Sequence, residues 1–339
     1  MSAWAPPPRP DVGVVCWNVN TACNYRCTYC TQRFKDDRGR WSRDTPRFLE
    51  AFARLRGAWE VKISGGEPFV HPTLDEIVAG IASAGHTVSV VTNLSASPKK
   101  LASFADAARG RVGTFSCSLH LEYATDVAAF ADKARWVATE LANRADPALP
   151  PPHVCVTTVA TTAALPRLRE MARAFAERDV VFKVQPERDD GVLRDYAPDE
   201  RALLESLGGH NLTGALAHEF SGRPCWAGAR FFVMDDKGDV YRCYPARRSV
   251  ITSLRKKTGI PDTARERALG RLGSFLDPGF KLDEQARPCR YRLCYCTVPI
   301  ARGMMSTSQA PVDDDARAAR GREGDRPARH GDGALVGET

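Results

Sequence analysis

Long hydrophobic runs are absent. No stretch of the 339 residues approaches the roughly 18 apolar positions that a bilayer-spanning helix needs, so no membrane partner is expected. The start, MSAWAPPPRPD, lacks the apolar core of a secretory signal, which makes the cytoplasm the expected compartment. Excess charge is lacking too: a net +7 is small for this length and does not indicate a nucleic-acid partner. Lysine is scarce. Arginine supplies 38 of the 48 basic residues beside abundant alanine, a bias that genome composition can produce without function. Large apolar residues are nearly missing from residues 303–339, and residues 1–10 are proline-rich, so both ends are expected to be disordered. The tail carries seven acidic and five arginine side chains, so it is no basic arm. Disulfides have little place in a reducing compartment. The 11 cysteines are therefore expected to be metal ligands or catalytic groups.

What is present is otherwise ordinary. Hydrophobic residues make up 43% and charged residues 26%, and the length suits one large core with a smaller appendage. Strand-like runs alternate with helical patterns. VGVVCWNVN precedes TPRFLEAFARLRG, WEVKIS precedes PTLDEIVAGIASAG, and HTVSVVTN precedes PKKLASFADAARG. RVGTFSCSL then pairs with TDVAAFADKARWVATELANR, PHVCVTTVA with LPRLREMARAFAERD, and VVFKVQP supplies a sixth strand. Such alternation implies βα units and a parallel sheet. The expected fold is α/β: a partial (β/α)6 TIM-like barrel over residues 11–220, then a small cysteine-rich C-terminal domain over 221–302. An open doubly wound sheet is the competing arrangement.

In a barrel, chemistry sits at the C-terminal ends of the strands. CNYRCTYC sets Cys23, Cys27 and Cys30 directly after the first strand. SGGEP (Ser64 to Pro68) follows the second, TNLS (Thr92 to Ser95) the third, SLH (Ser118 to His120) the fourth and QPE (Gln185 to Glu187) the sixth. All five polar sets lie at one end. Three thiolates can hold three irons of a 4Fe–4S cluster and leave the fourth iron open. A zinc knuckle is the plain alternative, yet zinc would recruit a fourth Cys or His close by, and the first histidine is His71.

The CxxxCxxC pattern, with Tyr29 before its last cysteine, and GGEP after the next strand together resemble the radical S-adenosylmethionine (radical SAM) superfamily over roughly residues 11–190. The resemblance implies that Cys23, Cys27 and Cys30 hold the cluster and that its open iron chelates the amino and carboxylate groups of SAM. Gly65, Gly66 and Glu67 match the segment lining the methionine end of SAM, where glycine suits a backbone pressed against a ligand. A methyl group on Gly66 is then expected to crowd SAM while leaving the cluster intact. Asn93 and Ser118 match polar contacts to its ribose or carboxylate, although such residues also end strands as plain turn chemistry. The implied activity is reductive cleavage of SAM to a 5′-deoxyadenosyl radical that abstracts hydrogen from a substrate. Such an enzyme draws its electron from a reductant protein such as flavodoxin or ferredoxin.

After residue 220 the composition changes. CWAGARFFVMDDKGDVYRC reads as a hairpin turning at DKG, which brings Cys225 and Cys243 together. CRYRLCYC adds Cys289, Cys294 and Cys296. The layout resembles the SPASM/twitch extensions that carry auxiliary Fe–S clusters, with Gly238 five residues before Cys243. It departs from the full pattern in having five cysteines rather than seven, which suits a single second 4Fe–4S cluster; a zinc ribbon is the competing reading. Cys16, Cys117 and Cys155 lie within strand patterns, where a lone cysteine is a small buried hydrophobe. His120 is a candidate acid or base, or a hydrogen-bonded loop residue. Arg247 and Arg248, with Arg255 to Lys257, make the appendage locally basic, toward solvent or toward an acidic peptide, a phosphate or a reductant protein. The substrate class stays open between a peptide and a small polar metabolite. The non-enzymatic alternative is an Fe–S or zinc protein that only binds a partner.

Overall fold

The computed structural model describes residues 7–30, 36–189, 192–216, 220–250, 270–291 and 297–305. Six strands lie side by side in chain order: β1 (Gly13–Asn20), β2 (Trp59–Gly65), β3 (Thr87–Thr92), β4 (Val112–Leu119), β5 (His153–Ala160) and β6 (Val181–Pro186). Every neighbouring pair among them is parallel. The crossovers hold α1 (Trp41–Arg54), α2 (Leu74–Ser83), α3 (Pro98–Ala107), α4 (Val127–Asn143) and α5 (Leu168–Ala176), and α6 (Pro198–Leu216) follows β6. Local sequence sets the starts of two of these helices. Pro98 occupies the first turn of α3, and Asp126 caps α4 by accepting from the Ala129 amide at 2.9 Å.

One strand face is apolar and one is polar, as period-two alternation requires. Val61, Ile63, Val90, Phe115, Leu119, Val156 and Val184 pack in a single core with Phe52, Ile77, Ile81, Phe104, Ala134 and Phe175 of the helices. The helices thus cover one side only. A doubly wound sheet needs helices on both sides, so the one-sided cover and the unbroken strand order identify a partial (β/α)6 barrel. The opposite, inner face carries Asn18, Ser64, Ser116, Ser118, Thr157 and Lys183, paired across the strands as Asn18↔Ser64, Ser118↔Thr157 and Thr157↔Lys183. Val91, on the same face, is 40% exposed although it sits mid-sheet, so this face is open to solvent at that level. Toward the strand starts the face is closed by charge. Glu60 meets Lys62 at 2.8 Å, Ser89 at 2.6 Å and Arg302 at 2.5 Å. Burial alone would raise the Glu60 carboxyl, and these partners outweigh it and hold it below its ordinary value.

The C-terminal part extends this sheet. After the short pair β7 (Arg188–Asp189) and β8 (Val192–Leu193) come β9 (Pro224–Cys225), β10 (Phe231–Met234), β11 (Asp239–Tyr241), β12 (Arg271–Ser274) and β13 (Arg287–Pro288). β10 lies parallel to β1, and β11 and β12 continue antiparallel, giving nine strands in the order β12-β11-β10-β1-β2-β3-β4-β5-β6. The expected hairpin is β10–β11, turning at Gly238 with φ +85°. α7 (Tyr244–Val250) and a helix at Thr297–Ala301 complete this part. Its core includes Phe220, Cys225, Trp226, Phe231 and Tyr291, joined by Val14 and Cys16 from β1.

Three boundaries differ from expectation. Met304 and Met305, placed by composition in a disordered tail, are buried, and the Met304 carbonyl accepts from the Trp226 amide at 2.9 Å. Pro7 and Pro10, placed in a disordered start, accept from Trp226 Nε1 and Arg230 Nε, each at 3.0 Å. α6 was not anticipated, because its sequence has no amphipathic stripe. Cys16, Cys117 and Cys155 are buried, as lone strand cysteines should be. Among the described residues no helix is long and apolar enough to cross a membrane.

Candidate active site

The loop carrying Cys23, Cys27 and Cys30 leaves β1 at Asn20 and is anchored from several sides. Asp37 is buried, and its carboxylate accepts from the Thr21 amide at 2.8 Å and the Ala22 amide at 3.2 Å. The glycine segment holds the next stretch. The Gly66 amide donates to the Asn20 carbonyl and the Glu67 amide to the Ala22 carbonyl, both at 2.9 Å, while Asn20 Nδ2 donates to the Glu67 carbonyl at 2.8 Å. Gly65 sits at φ +149°, in backbone space that favours glycine, and a β-carbon there would stand 2.4 Å from the Asn20 carbonyl oxygen. A β-carbon on Gly66 would stand 2.0 Å from the carbonyl oxygen of Ala22. Its close neighbour is therefore the cysteine loop itself, and the geometry accounts for this glycine without a ligand.

Glu67 is buried and its side chain faces protein. It accepts from Phe69 N at 3.0 Å, Thr92 Oγ1 at 2.7 Å and Asn93 N at 2.7 Å, tying the end of β2 to the end of β3. Burial pushes its carboxyl up against the pull of those three donors. The Asn93 carboxamide continues the chain of bonds, donating to Asn24 Oδ1 at 2.9 Å and accepting from the Ser95 amide at 3.0 Å. Asn24 in turn donates to Ser95 at 2.9 Å. Of the five residues expected to line SAM, Glu67 and Asn93 thus spend their side chains on the scaffold. Ser118 lies half-buried on the inner face beside Thr157.

The end of β4 clamps the other side of the loop. His120 Nδ1 lies 3.5 Å from Cys27 Sγ and 2.7 Å from Tyr29 Oη. Its ring stacks on Tyr29 and meets Tyr25 edge-on, each with centroids 5.9 Å apart. Tyr25 stacks on Tyr123 at 4.1 Å, and the Tyr123 hydroxyl accepts from the Arg26 amide at 2.7 Å. Glu122 accepts from the Thr28 amide at 3.0 Å. Of the two roles open to His120, the structure gives a hydrogen-bonded one directly against a cysteine. Burial lowers its pKa, with Glu122 acting the other way. Asp37, Glu122 and Tyr123 were missed from the sequence, because no local pattern marks a partner 16 or nearly 100 residues away.

The donor set fits an iron–sulfur cluster. Cys23 and Cys27 are half-buried and Cys30 is exposed, all at the strand-end mouth of the barrel. Burial, then Glu122 and the two sister thiols, push the Cys27 thiol up to about 11, and burial also raises Cys23. Loading a metal must therefore displace protons from these sulfurs. Among the described residues no three Cys, His, Asp or Glu side chains are set to hold a single metal ion, whereas a cluster spans more widely spaced thiols.

A second cysteine group lies in the C-terminal part. Cys225, Cys243 and Cys289 line one small cavity with Ala227, Pro245, Tyr291 and Met305. Burial pushes Cys225 up to about 11, and Cys289 adds to the rise. Cys294 and Cys296 lie outside the described residues. Three thiols in a largely apolar pocket suit a thiolate-bound cluster, while these three are not themselves set around a single metal ion.

Residues 17–127 match the Radical SAM superfamily. A GTP 3′,8-cyclase of Stenotrophomonas maltophilia is 36% identical over 95 residues, which is 25% of this chain and 27% of that protein. A probable GTP 3′,8-cyclase of Pyrobaculum aerophilum is 36% identical over 77 residues, 22% of this chain and 25% of that protein. The matches thus span about a quarter of the length of these curated relatives. Among solved structures, Streptococcus suis SuiB bound to S-adenosylmethionine gives a TM-score of 0.49 at 16% identity, covering 78% of this chain and 61% of that one.

Proposed function

We propose, taking the radical SAM superfamily domain of residues 17–127 as premise, that this protein is an enzyme that cleaves SAM reductively and abstracts a hydrogen atom from a peptide or a small polar metabolite. The observation that carries the reading is the cysteine loop, bound on one side to the Gly65–Glu67 segment and on the other to His120, Glu122 and Tyr123 at the end of β4. A protein that merely carried a cluster would have no need to fix three thiols so firmly at the mouth of an open polar barrel.

In this reading Cys23, Cys27 and Cys30 would hold the 4Fe–4S cluster to which SAM would bind. When bound, the cluster and SAM together supply the electron and the 5′-deoxyadenosyl radical that this chemistry needs. The chain itself does the positioning. Glu67 and Asn93 lock the loop by their side chains and Gly65 and Gly66 seat it by close backbone approach, so the side chain of Ser118 is left to meet the cofactor. The substrate lies along the inner face, between the mouth and the C-terminal extension. In the extension, Cys225, Cys243 and Cys289, with Cys294 and Cys296, supply up to five thiols for an auxiliary 4Fe–4S cluster in a SPASM/twitch-like role. A reductant protein such as flavodoxin or ferredoxin delivers the electron. From the curated relatives, matched over about a quarter of their length, no substrate is carried over; GTP stays with them.

The test is release of 5′-deoxyadenosine. Anaerobically reconstituted, reduced protein is expected to produce it from SAM, and Cys27→Ala is expected to lose both the SAM-responsive cluster signal and the product. A variant that still cleaves SAM at the wild-type rate would sink the assignment of this loop.

A further inference from the structure

We propose that Arg247 forms an oxyanion subsite in the substrate pocket, taking a phosphate or carboxylate group of the substrate. The inference rests on the radical SAM reading above. Arg247 belongs to α7, which begins one residue after Cys243, and it reaches from the extension to the inner face of β1. With its carboxamide oxygen turned toward that side chain, Asn18 accepts from the two terminal guanidinium nitrogens at 3.1 and 2.6 Å and donates to Ser64 Oγ at 3.0 Å. Asn18 pairs with Ser64 one inner-facing step below Asn20, the residue bonded to the glycine segment. Arg247 therefore stands between the cofactor end of the barrel and the second cysteine group.

Among the described residues its charge meets no carboxylate partner, and Asn18 is neutral. Glu60, the buried carboxylate of this face, is already engaged by Lys62 and Arg302. Asp235 is already bonded by the Tyr241 hydroxyl. Arg247 Nε is shielded from water and has no acceptor, a costly condition for a donor. Guanidinium binds carboxylate and phosphate two-pronged, and Asn18 supplies a single oxygen to two terminal nitrogens that carry four N–H groups, leaving donors there for an oxyanion. Lys183, on the β6 wall of the same face, meets only the neutral-capable ring of His153 at 3.2 Å among its described partners. Two cations without carboxylate partners among the described residues thus border the polar inner face, an arrangement that attracts an anionic substrate and disfavours a cationic one.

The experiment uses the full-length protein, anaerobically reconstituted, with calorimetric titration of inorganic pyrophosphate in one arm and succinate in the other. We expect one of the two to bind the wild type, to bind about tenfold more weakly or worse to Arg247→Gln, and to recover partly in Arg247→Lys. SAM affinity is expected to stay the same in both variants. The arm that binds identifies the group as phosphate or carboxylate. Binding of neither probe to wild type, equal binding to Arg247→Gln, or a fall in SAM affinity that shows the charge to serve the cofactor each overturns the subsite. Failure of the parent reading looks different: wild type would then release no 5′-deoxyadenosine, whatever the anions do.

Discussion

A β-carbon at position 66 would lie 2.0 Å from the Ala22 carbonyl oxygen, a backbone atom that cannot swing aside. Gly66→Ala must therefore push the cysteine loop off its seat before it can touch any ligand. The expected outcome is joint loss of bound iron, of SAM cleavage and of several degrees in melting temperature. Intact iron with weakened SAM binding alone would show instead that the glycine faces the cofactor, which is what the bare sequence suggests. His120 invites a complementary test. His120→Phe keeps a flat ring between Tyr25 and Tyr29 but removes the Nδ1 that lies 3.5 Å from Cys27 Sγ. Hydrogen bonds to a charged sulfur ligand stabilise it, so we expect the cluster to assemble and then to lose iron to a chelator about tenfold faster than wild type. Equal loss rates would reduce His120 to a packing residue.

Elements were readable where their signal was periodic and local. Val61, Ile63, Val88 and Val90 alternate as strands must, and each of β1 to β6 lies within a few residues of its apolar run. The β10–β11 hairpin was readable from DKG, because positive φ at Gly238 is a local demand. Tertiary pairing was not. Nothing in RFFVMD signals that β10 will lie parallel to β1, and nothing in LHLEY signals that Glu122 and Tyr123 will close on Thr28 and Arg26. The site follows the same division: its thiols and glycines could be named from spacing, while the clamps that hold them could not. The hairpin also carries a prediction. With Cys225, Cys243 and Cys289 around one cavity, the Cys23→Ala, Cys27→Ala, Cys30→Ala triple variant is expected to keep about half of some eight irons, by the stoichiometry of two 4Fe–4S clusters. Replacing Cys225 or Cys243 as well should remove the rest. A colourless triple variant holding one zinc would make the second site a structural zinc centre and leave the barrel chemistry standing.

At the scale of the whole molecule, barrel and extension share one nine-stranded sheet, with β10 hydrogen-bonded to β1, the strand that leads into the cysteine loop. Val14 and Cys16 of β1 are buried in the extension's core, while Val15 and Trp17 of the same strand are buried in the barrel's core. The two cores therefore meet on a single strand, and loosening one should be felt in the other. The end of the described chain offers the cleanest lever. Met304 and Met305 are buried in the extension's core, Met305 lines the cavity of Cys225, Cys243 and Cys289, and Met304 accepts from Trp226. Ending the chain after Arg302 removes both, and deleting a buried methionine side chain costs about 2–5 kcal/mol. A chain ending after Met305 keeps them and serves as the control. We expect the shorter chain to melt clearly below that control and to lose metal from the extension first, with the barrel's SAM cleavage falling afterward as β10 loosens from β1. Matching melting curves for the two chains would show that the extension's core does not depend on these methionines, and that the shared strand transmits less than its double burial implies.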